Sequence, residues 1–230
     1  MELSIARRRE PWKASARVVS SRFPAIGLFD RVSNPADLEA VYYIESLTNP
    51  RLREEIGELS LVAPEERVSG PGTTPIMAAF THLNPRGSRF SDGSYGVYYA
   101  ARALETAIRE TVYHRERFMR DSSEPPMTLE MRVYHADLDA LFHDIRTARR
   151  RHAEWYDPDS YSASQKLGRT LRESGSRGIY YQSVRHEGGA CAAVFRPKAM
   201  SPARQGAHLA YVWDGQRIAT VRELRTVLEL

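Results

Sequence analysis

The stretch GIYYQSVRHEGGACAAVF, residues 178–195, constrains the chain more than any other. Two short apolar runs flank HEGG, and a glycine pair between two such runs is a hairpin signature. The spacing predicts two strands joined at His186 to Gly189. A second hairpin is predicted in HLAYVWDGQRIATVREL, turning at Asp214-Gly215. Strands that pair with their neighbours, alongside helices that come in groups, predict an α+β fold in a single domain.

The other elements follow from period and punctuation. Leu129, Met131 and Val133 alternate with polar residues in TLEMRVYHADL, which predicts a strand over 128–138. Gly96 to Ala100 is short and apolar enough for a buried strand. Helices are expected in NPADLEAVYYIESL, where Asn34 caps and Pro35 opens, and in PRLREEIGEL after Asn49-Pro50. Others are expected between Thr74-Pro75 and Asn84-Pro85, from Ala103 to Arg120, and from Ser162 to Ser174 with Gly175 as the C′ residue. Residues 1–24 read as a basic lead-in whose Arg7, Arg8 and Arg9 are solvated, and residues 25–230 as the domain. The stretch after residue 138, through RTARRRHAEWYDPDSY, reads as charged and loop-rich.

Composition sets limits on function. With 230 residues, 42% of them hydrophobic and 27% charged, the chain is an ordinary globular sequence with room for a real core. A net charge of +4 is compatible with an anionic metabolite, an acidic protein or nucleic acid, and equally with solubility alone. Cys191 is the one cysteine, so neither an intrachain disulfide nor a C-x-x-C metal pattern is possible. Within ACAAVF it is expected to be a buried thiol acting as a small hydrophobe. No apolar run reaches the roughly 18–20 residues of a membrane span. The N-terminus lacks an apolar leader core, and a cytoplasmic protein is expected.

Candidate chemistry gathers in GSRFSDGSYGVYYAARALETAIRETVYH, residues 87–114. At about 100° per residue, Leu104, Ala107, Ile108, Thr111 and Val112 form the apolar stripe of the helix. Ala103, Ala107, Glu110 and His114 fall along its border, which sets a carboxylate beside small residues that leave space for a ligand. Position alone makes Glu110 a boundary residue as readily as a site residue, with His114 one turn on and able to bond it. Glu105 and Arg109 suit a solvent-exposed i,i+4 pair. Arg89 lies in a small-residue loop, and its planar fork suits phosphate or ribose oxygens. Tyr98 and Tyr99 are consecutive on a strand, so one faces each side. One belongs to the core, and the other is free to stack a planar ring. Ser183, in YQSVR, has no G-x-S-x-G elbow around it, which leaves a structural hydroxyl or a ligand contact rather than a nucleophile.

Taken together, Arg89, the tyrosine before the helix, Glu110 in ETAIRE and Ser183 in GIYYQSVRHEGGACAAVF resemble the Arg–Glu–Ser signature of RES-domain proteins, the toxins of RES–Xre toxin–antitoxin modules. The resemblance spans roughly Arg31 to Pro197, with the motif blocks in the expected order. It implies an ADP-ribosyltransferase-like fold and NAD as a consumed substrate, without a metal. It further implies an Xre-type antitoxin as partner, whose tail enters the cleft near Arg89. Members of the family degrade NAD by phosphorolysis or hydrolysis, or ADP-ribosylate an enzyme of nucleotide biosynthesis. On that basis the expected catalytic set is Arg89, Glu110 and Ser183, with Arg89, Tyr98 or Tyr99, and Ser183 holding the dinucleotide. The chain departs from compact members in its added N-terminal helices and in residues 115–127.

The absence of a G-x-G-x-x-G after a strand excludes a hydride-transfer Rossmann site. Two other classes compete with an NAD-consuming enzyme. A nucleic-acid-binding module would draw on Arg146, Arg149, Arg150 and Arg151, and its affinity would fall steeply with salt. A purely structural partner protein would release no nicotinamide at all.

Overall fold

The computed structural model describes residues 5–21, 28–32, 34–41 and 57–228. Among these, nine strands form one sheet in the order β1-β5-β6-β7-β3-β2-β4-β8-β9. In chain order the strands are β1 (Arg7–Arg9), β2 (Trp12–Ser20), β3 (Tyr98–Ala101), β4 (Met127–Leu138) and β5 (Leu141–Asp144), then β6 (Gly178–Gln182), β7 (Ala190–Val194), β8 (Arg204–Trp213) and β9 (Ile218–Leu224). The helices are α1 (Leu28–Arg31), α2 (Thr74–Thr81), α3 (Leu104–Asp121) and α4 (Ser162–Glu173). Only β5 and β6 pair in parallel, and every other pairing is antiparallel. The architecture is therefore the α+β arrangement expected from the sequence.

Both faces of the sheet's middle are buried. Ala101, Tyr181, Cys191 and Ala193 join one apolar cluster with Ala107 of α3 and Leu167 and Leu171 of α4. Their strand neighbours Tyr98, Ala100, Tyr180, Ala192 and Val194 join a second cluster with Ile76, Met77 and Phe80 of α2. A strand covered on both sides has no reason to alternate in polarity, which explains the unbroken apolar run of β7. The predicted hairpin turns where expected, with the Gly189 N–H donating to the His186 carbonyl at 3.0 Å.

The expected solvated lead-in instead contains two strands of the sheet. Its β2 lies between β3 and β4, with Ala16 and Val18 buried. Trp12 stacks on Tyr180 with centroids 4.8 Å apart. Basic residues masked this strand because its alternation is broken by a bulge between Trp12 and Ser15, where Ala14 has φ of 49°. Arg7, Arg8 and Arg9 are exposed as expected, yet they form the edge strand β1 and pair with β5. Arg8 and Arg9 reach Asp144 at 3.4 Å and Asp139 at 2.8 Å. Charged edges of this kind discourage pairing with further strands.

The stretch expected to be loop-rich consists of turns and one 3-10 turn at Ala153–Tyr156 over residues 146–161. Its approach holds β5, and Arg146 is bound by Asp144 at 2.8 Å and by Glu10 at 2.6 Å. The nucleic-acid-binding cluster thus loses one of its four arginines to internal ion pairs. Helices α2, α3 and α4 begin and end within two or three residues of expectation. Asn34 caps as predicted, accepting from the Ala36 N–H at 3.1 Å, although Pro35–Asp37 is a 3-10 turn. Most of the expected PRLREEIGEL helix, and NPADLEAVYYIESL beyond residue 41, lie outside the described residues. No described helix is long and apolar enough to cross a membrane.

Candidate functional site

Where α3 crosses the first face of the sheet, the strands carry Ala16, Ala101 and Cys191 instead of large side chains, and the helix presents Ala107. Small residues on both surfaces leave a cleft of about 690 Å³. That volume lies within the range of small-molecule sites. Glu110, Thr111 and His114 of α3 form one wall, and the loop carrying Arg86 to Arg89 forms the other. Burial pushes the Cys191 thiol well up, so it sits in the cleft floor as an inert hydrophobe.

Arg89 is buried, with 7% of its surface exposed, and no carboxylate among the described residues pairs with it. Its Nη1 donates to the carbonyls of Asp157 at 3.0 Å and Trp155 at 3.3 Å. The guanidinium also lies 4.6 Å from the centroid of the Tyr161 ring. Carbonyl dipoles and a ring face hold the cation without neutralising it. A guanidinium so placed is open to an anionic ligand.

The loop around it is clamped by neighbours distant in sequence. The Tyr99 hydroxyl accepts from the Phe90 N–H at 2.9 Å and bonds the Ser88 hydroxyl at 2.8 Å. Gln165 Nε2 of α4 donates to the carbonyls of Ser88 at 3.1 Å and Ser91 at 3.2 Å. The Tyr95 hydroxyl donates to the Phe90 carbonyl at 2.5 Å. Gly168 makes this packing possible: a Cβ there would stand 2.2 Å from the Phe90 carbonyl oxygen. Tyr161 and Gln165 were not among the residues singled out from the sequence. Neither carries a local signal, because their role depends on where α4 meets a loop 70 to 80 residues earlier.

Glu110 is half-buried on the opposite wall. Its Oε1 accepts from the Ser183 hydroxyl at 2.6 Å and from the Val184 N–H at 3.3 Å. Ser183 is 3% exposed and its Oγ also accepts from the N–H groups of Arg185 at 3.1 Å and His186 at 2.9 Å. Its one proton is given to Glu110 and its lone pairs are taken, so the serine holds the carboxylate from behind. It does not line the cleft. His114 does line it, but makes no hydrogen bond to Glu110 and packs edge-on against Tyr113.

The tyrosine pair divides as strand parity requires. Tyr99 faces the cleft, whereas Tyr98 is fully buried in the second cluster beneath the Arg17 guanidinium. Tyr98, expected alongside Tyr99 as a candidate for holding the dinucleotide, faces away from the cleft. The Tyr99 hydroxyl is committed to the Arg89 loop. Tyr181, two strands away on the same face, lines the cleft and meets Phe90 edge-to-face at 5.0 Å. Of the expected set, the fold brings Arg89, Tyr99 and Glu110 to one cavity and places Ser183 directly behind it.

The cleft is electropositive: Arg86, Arg115 and Arg117 line it beside Arg89, against the carboxylates Glu110, Asp121 and Asp159. Such a site attracts an anionic ligand while presenting one fixed carboxylate to whatever lies across from the arginines.

Comparison with known proteins agrees in part. A chain of known structure, from the crystal structure of the M. tuberculosis MbcT–MbcA toxin–antitoxin complex, aligns with a TM-score of 0.41 and 13% identity over 56% of this chain and 73% of that one. Uncharacterized protein y4oC of Sinorhizobium fredii (strain NBRC 101917 / NGR234) is 31% identical over 204 residues, covering 88% of this chain and 84% of that protein. The RES domain profile matches residues 64–214, a span that holds Arg89, Tyr99, Glu110 and Ser183 alike. With more than half of its length matched in this way, the chain belongs to the RES-domain family.

Proposed function

We propose that this chain is the toxin of a toxin–antitoxin pair, an enzyme that breaks the bond between nicotinamide and ribose in NAD and transfers ADP-ribose to a cellular protein. One observation carries the reading: an uncompensated, buried Arg89 and a serine-anchored Glu110 line the same cleft. In the proposed reaction the electron pair of the N-glycosidic bond leaves with nicotinamide, which departs as a neutral amide. No general acid is therefore needed, and a single carboxylate suffices where ordinary glycoside hydrolysis uses two.

Glu110 stabilises the oxocarbenium-like ribose by its charge and by bonding the ribose hydroxyls. Ser183 and the Val184 N–H fix its orientation in advance, so little reorganisation is needed as charge develops. Arg89 takes the pyrophosphate, and Tyr99 and Tyr181 supply apolar and aromatic surface. The acceptor's nucleophile then bonds C1′ and releases its proton. An Xre-type antitoxin would restrain this activity by occupying the cleft at Arg89.

The test is to incubate the purified chain with NAD labelled in its adenylate half, with and without cell lysate. Nicotinamide release together with label on a protein band is the expected result. Label confined to small molecules would replace transfer by phosphorolysis or hydrolysis, and no nicotinamide release under either condition would overturn the reading.

A further inference from the structure

A second cavity, of about 220 Å³, shares no lining residue with the cleft. It is walled by Arg172 from the last turn of α4, by Arg196 beyond β7, and by Glu66 from a 3-10 turn at Pro64–Glu66. Leu61, Val62 and Phe80 complete it with apolar surface. Arg172 and Arg196 are both half-buried, and among the described residues neither forms an ion pair. Arg172 stacks its guanidinium 4.5 Å from the Tyr95 centroid, which leaves its Nε buried and without a hydrogen-bond partner. The Glu66 Oε2 is likewise buried and unpartnered.

Buried polar atoms are rarely left unsatisfied, and three charged groups of both signs around one small cavity are rarer still. Burial, with the neighbouring positive charge of Arg196, destabilises the charged form of Arg172. Two guanidiniums lining one cavity, neither paired with a described carboxylate, suit a ligand oxyanion. The Glu66 oxygen, an acceptor only, calls for a donor on the same ligand. From this geometry we infer that the cavity between Arg172, Arg196 and Glu66 binds a compact acid, phosphate or carboxylate, that carries its own ammonium or hydroxyl donor.

This site is independent of the NAD reading and stands or falls without it. It is tested by isothermal titration of the full chain with O-phosphoethanolamine, which has both groups, and with ethyl phosphate, which lacks the ammonium. O-phosphoethanolamine is expected to bind more tightly. Arg196→Gln removes a side chain with no hydrogen bond or ion pair among the described residues, so the fold should survive, as a thermal melt would verify. It is expected to weaken O-phosphoethanolamine by about tenfold or more, the scale of one charge-assisted hydrogen bond. Glu66→Gln should narrow the preference for O-phosphoethanolamine over ethyl phosphate. Arg89→Gln, whose side chain lines the cleft and not this cavity, should leave both affinities unchanged wherever a thermal melt shows the fold intact. Binding that survives Arg196→Gln, binding that is lost in Arg89→Gln, or no heat at millimolar ligand would each overturn the inference.

Discussion

The two faces of the sheet are built from adjacent residues of the same strands, and both are covered, yet only one leaves a cleft beside its helix. On the face without the cleft Tyr180 stacks on Trp12 and meets Phe142 edge-on at 4.7 Å, while its hydroxyl donates to the Glu10 carbonyl at 2.7 Å. On the other face Tyr181, the next residue, borders the cleft. Tyr98 and Tyr99 repeat the division. What differs is local: Trp12, Phe142 and the residues of α2 pack around Tyr180, whereas at the cleft Ala16, Ala101 and Cys191 of the strands meet Ala107 of α3. A cavity forms here because two surfaces of small side chains meet, not because polar residues are present. The polar residues then gather around it, Glu110 half-buried and Arg89 buried against carbonyls and the Tyr161 ring.

This contrast can be broken or sharpened by mutation. The largest expected effect is that of Glu110→Gln. It keeps the hydrogen bond from Ser183 but removes the charge, and NAD turnover should fall by about 10²–10³ with the melting temperature unchanged. Near-normal turnover would take Glu110 out of the mechanism. Ser183→Ala should affect both function and fold. It strips Glu110 of its hydroxyl donor, leaving the Val184 N–H, and leaves the N–H groups of Arg185 and His186 without their acceptor, at a cost of about 1–3 kcal/mol in stability alongside a fall in kcat.

Tyr99→Phe and Tyr98→Phe form the sharpest pair, since the residues are neighbours and the change is the same. Tyr99→Phe deprives the Phe90 N–H of its acceptor and frees the Arg89 loop, so KM for NAD should rise more than kcat falls. The Tyr98 hydroxyl is buried without a partner, and burial pushes its ionisation up to about 12. Deleting it should leave stability within about 0.5 kcal/mol of the parent or slightly improve it, with turnover unaltered. Equal effects from the two substitutions would contradict the division of the faces.

A smaller effect belongs to the β2 bulge, away from the cleft. The Ala14 N–H, then Lys13 and Arg204, hold the Asp137 carboxyl down to about 2 from an ordinary 3.8. A depressed folded-state value means its stabilisation is complete above pH 3.8 and is lost as pH falls towards 2. Asp137→Asn should therefore flatten the acid limb of the stability curve and leave neutral-pH turnover unchanged, as chemical denaturation at several pH values would show.

Much of this arrangement was legible in advance. Both hairpins, the long helix bearing Glu110 and the strand bearing the tyrosines are local features, set by period, capping and turn residues. The fold class follows from them, and so does the parity that sends Tyr98 and Tyr99 to opposite faces. Which face holds the cleft was not legible, because that depends on alanines from β2 and β3 meeting Ala107 of α3. The strand β2 itself was hidden by its bulge and its basic residues, although it ends at the centre of the sheet. The roles of Tyr161 and Gln165 were invisible for a related reason: a carbonyl clamp on a distant loop leaves no pattern in its own neighbourhood.

The amino-acid order alone determined the elements, their alternation and the candidate residues, since each rests on interactions within a few positions along the chain. Tertiary structure decided which of those residues share a cavity, which face a ligand and which hold another in place. Those outcomes depend on contacts between segments far apart in sequence, whose geometry is fixed only when the two faces of the sheet are covered.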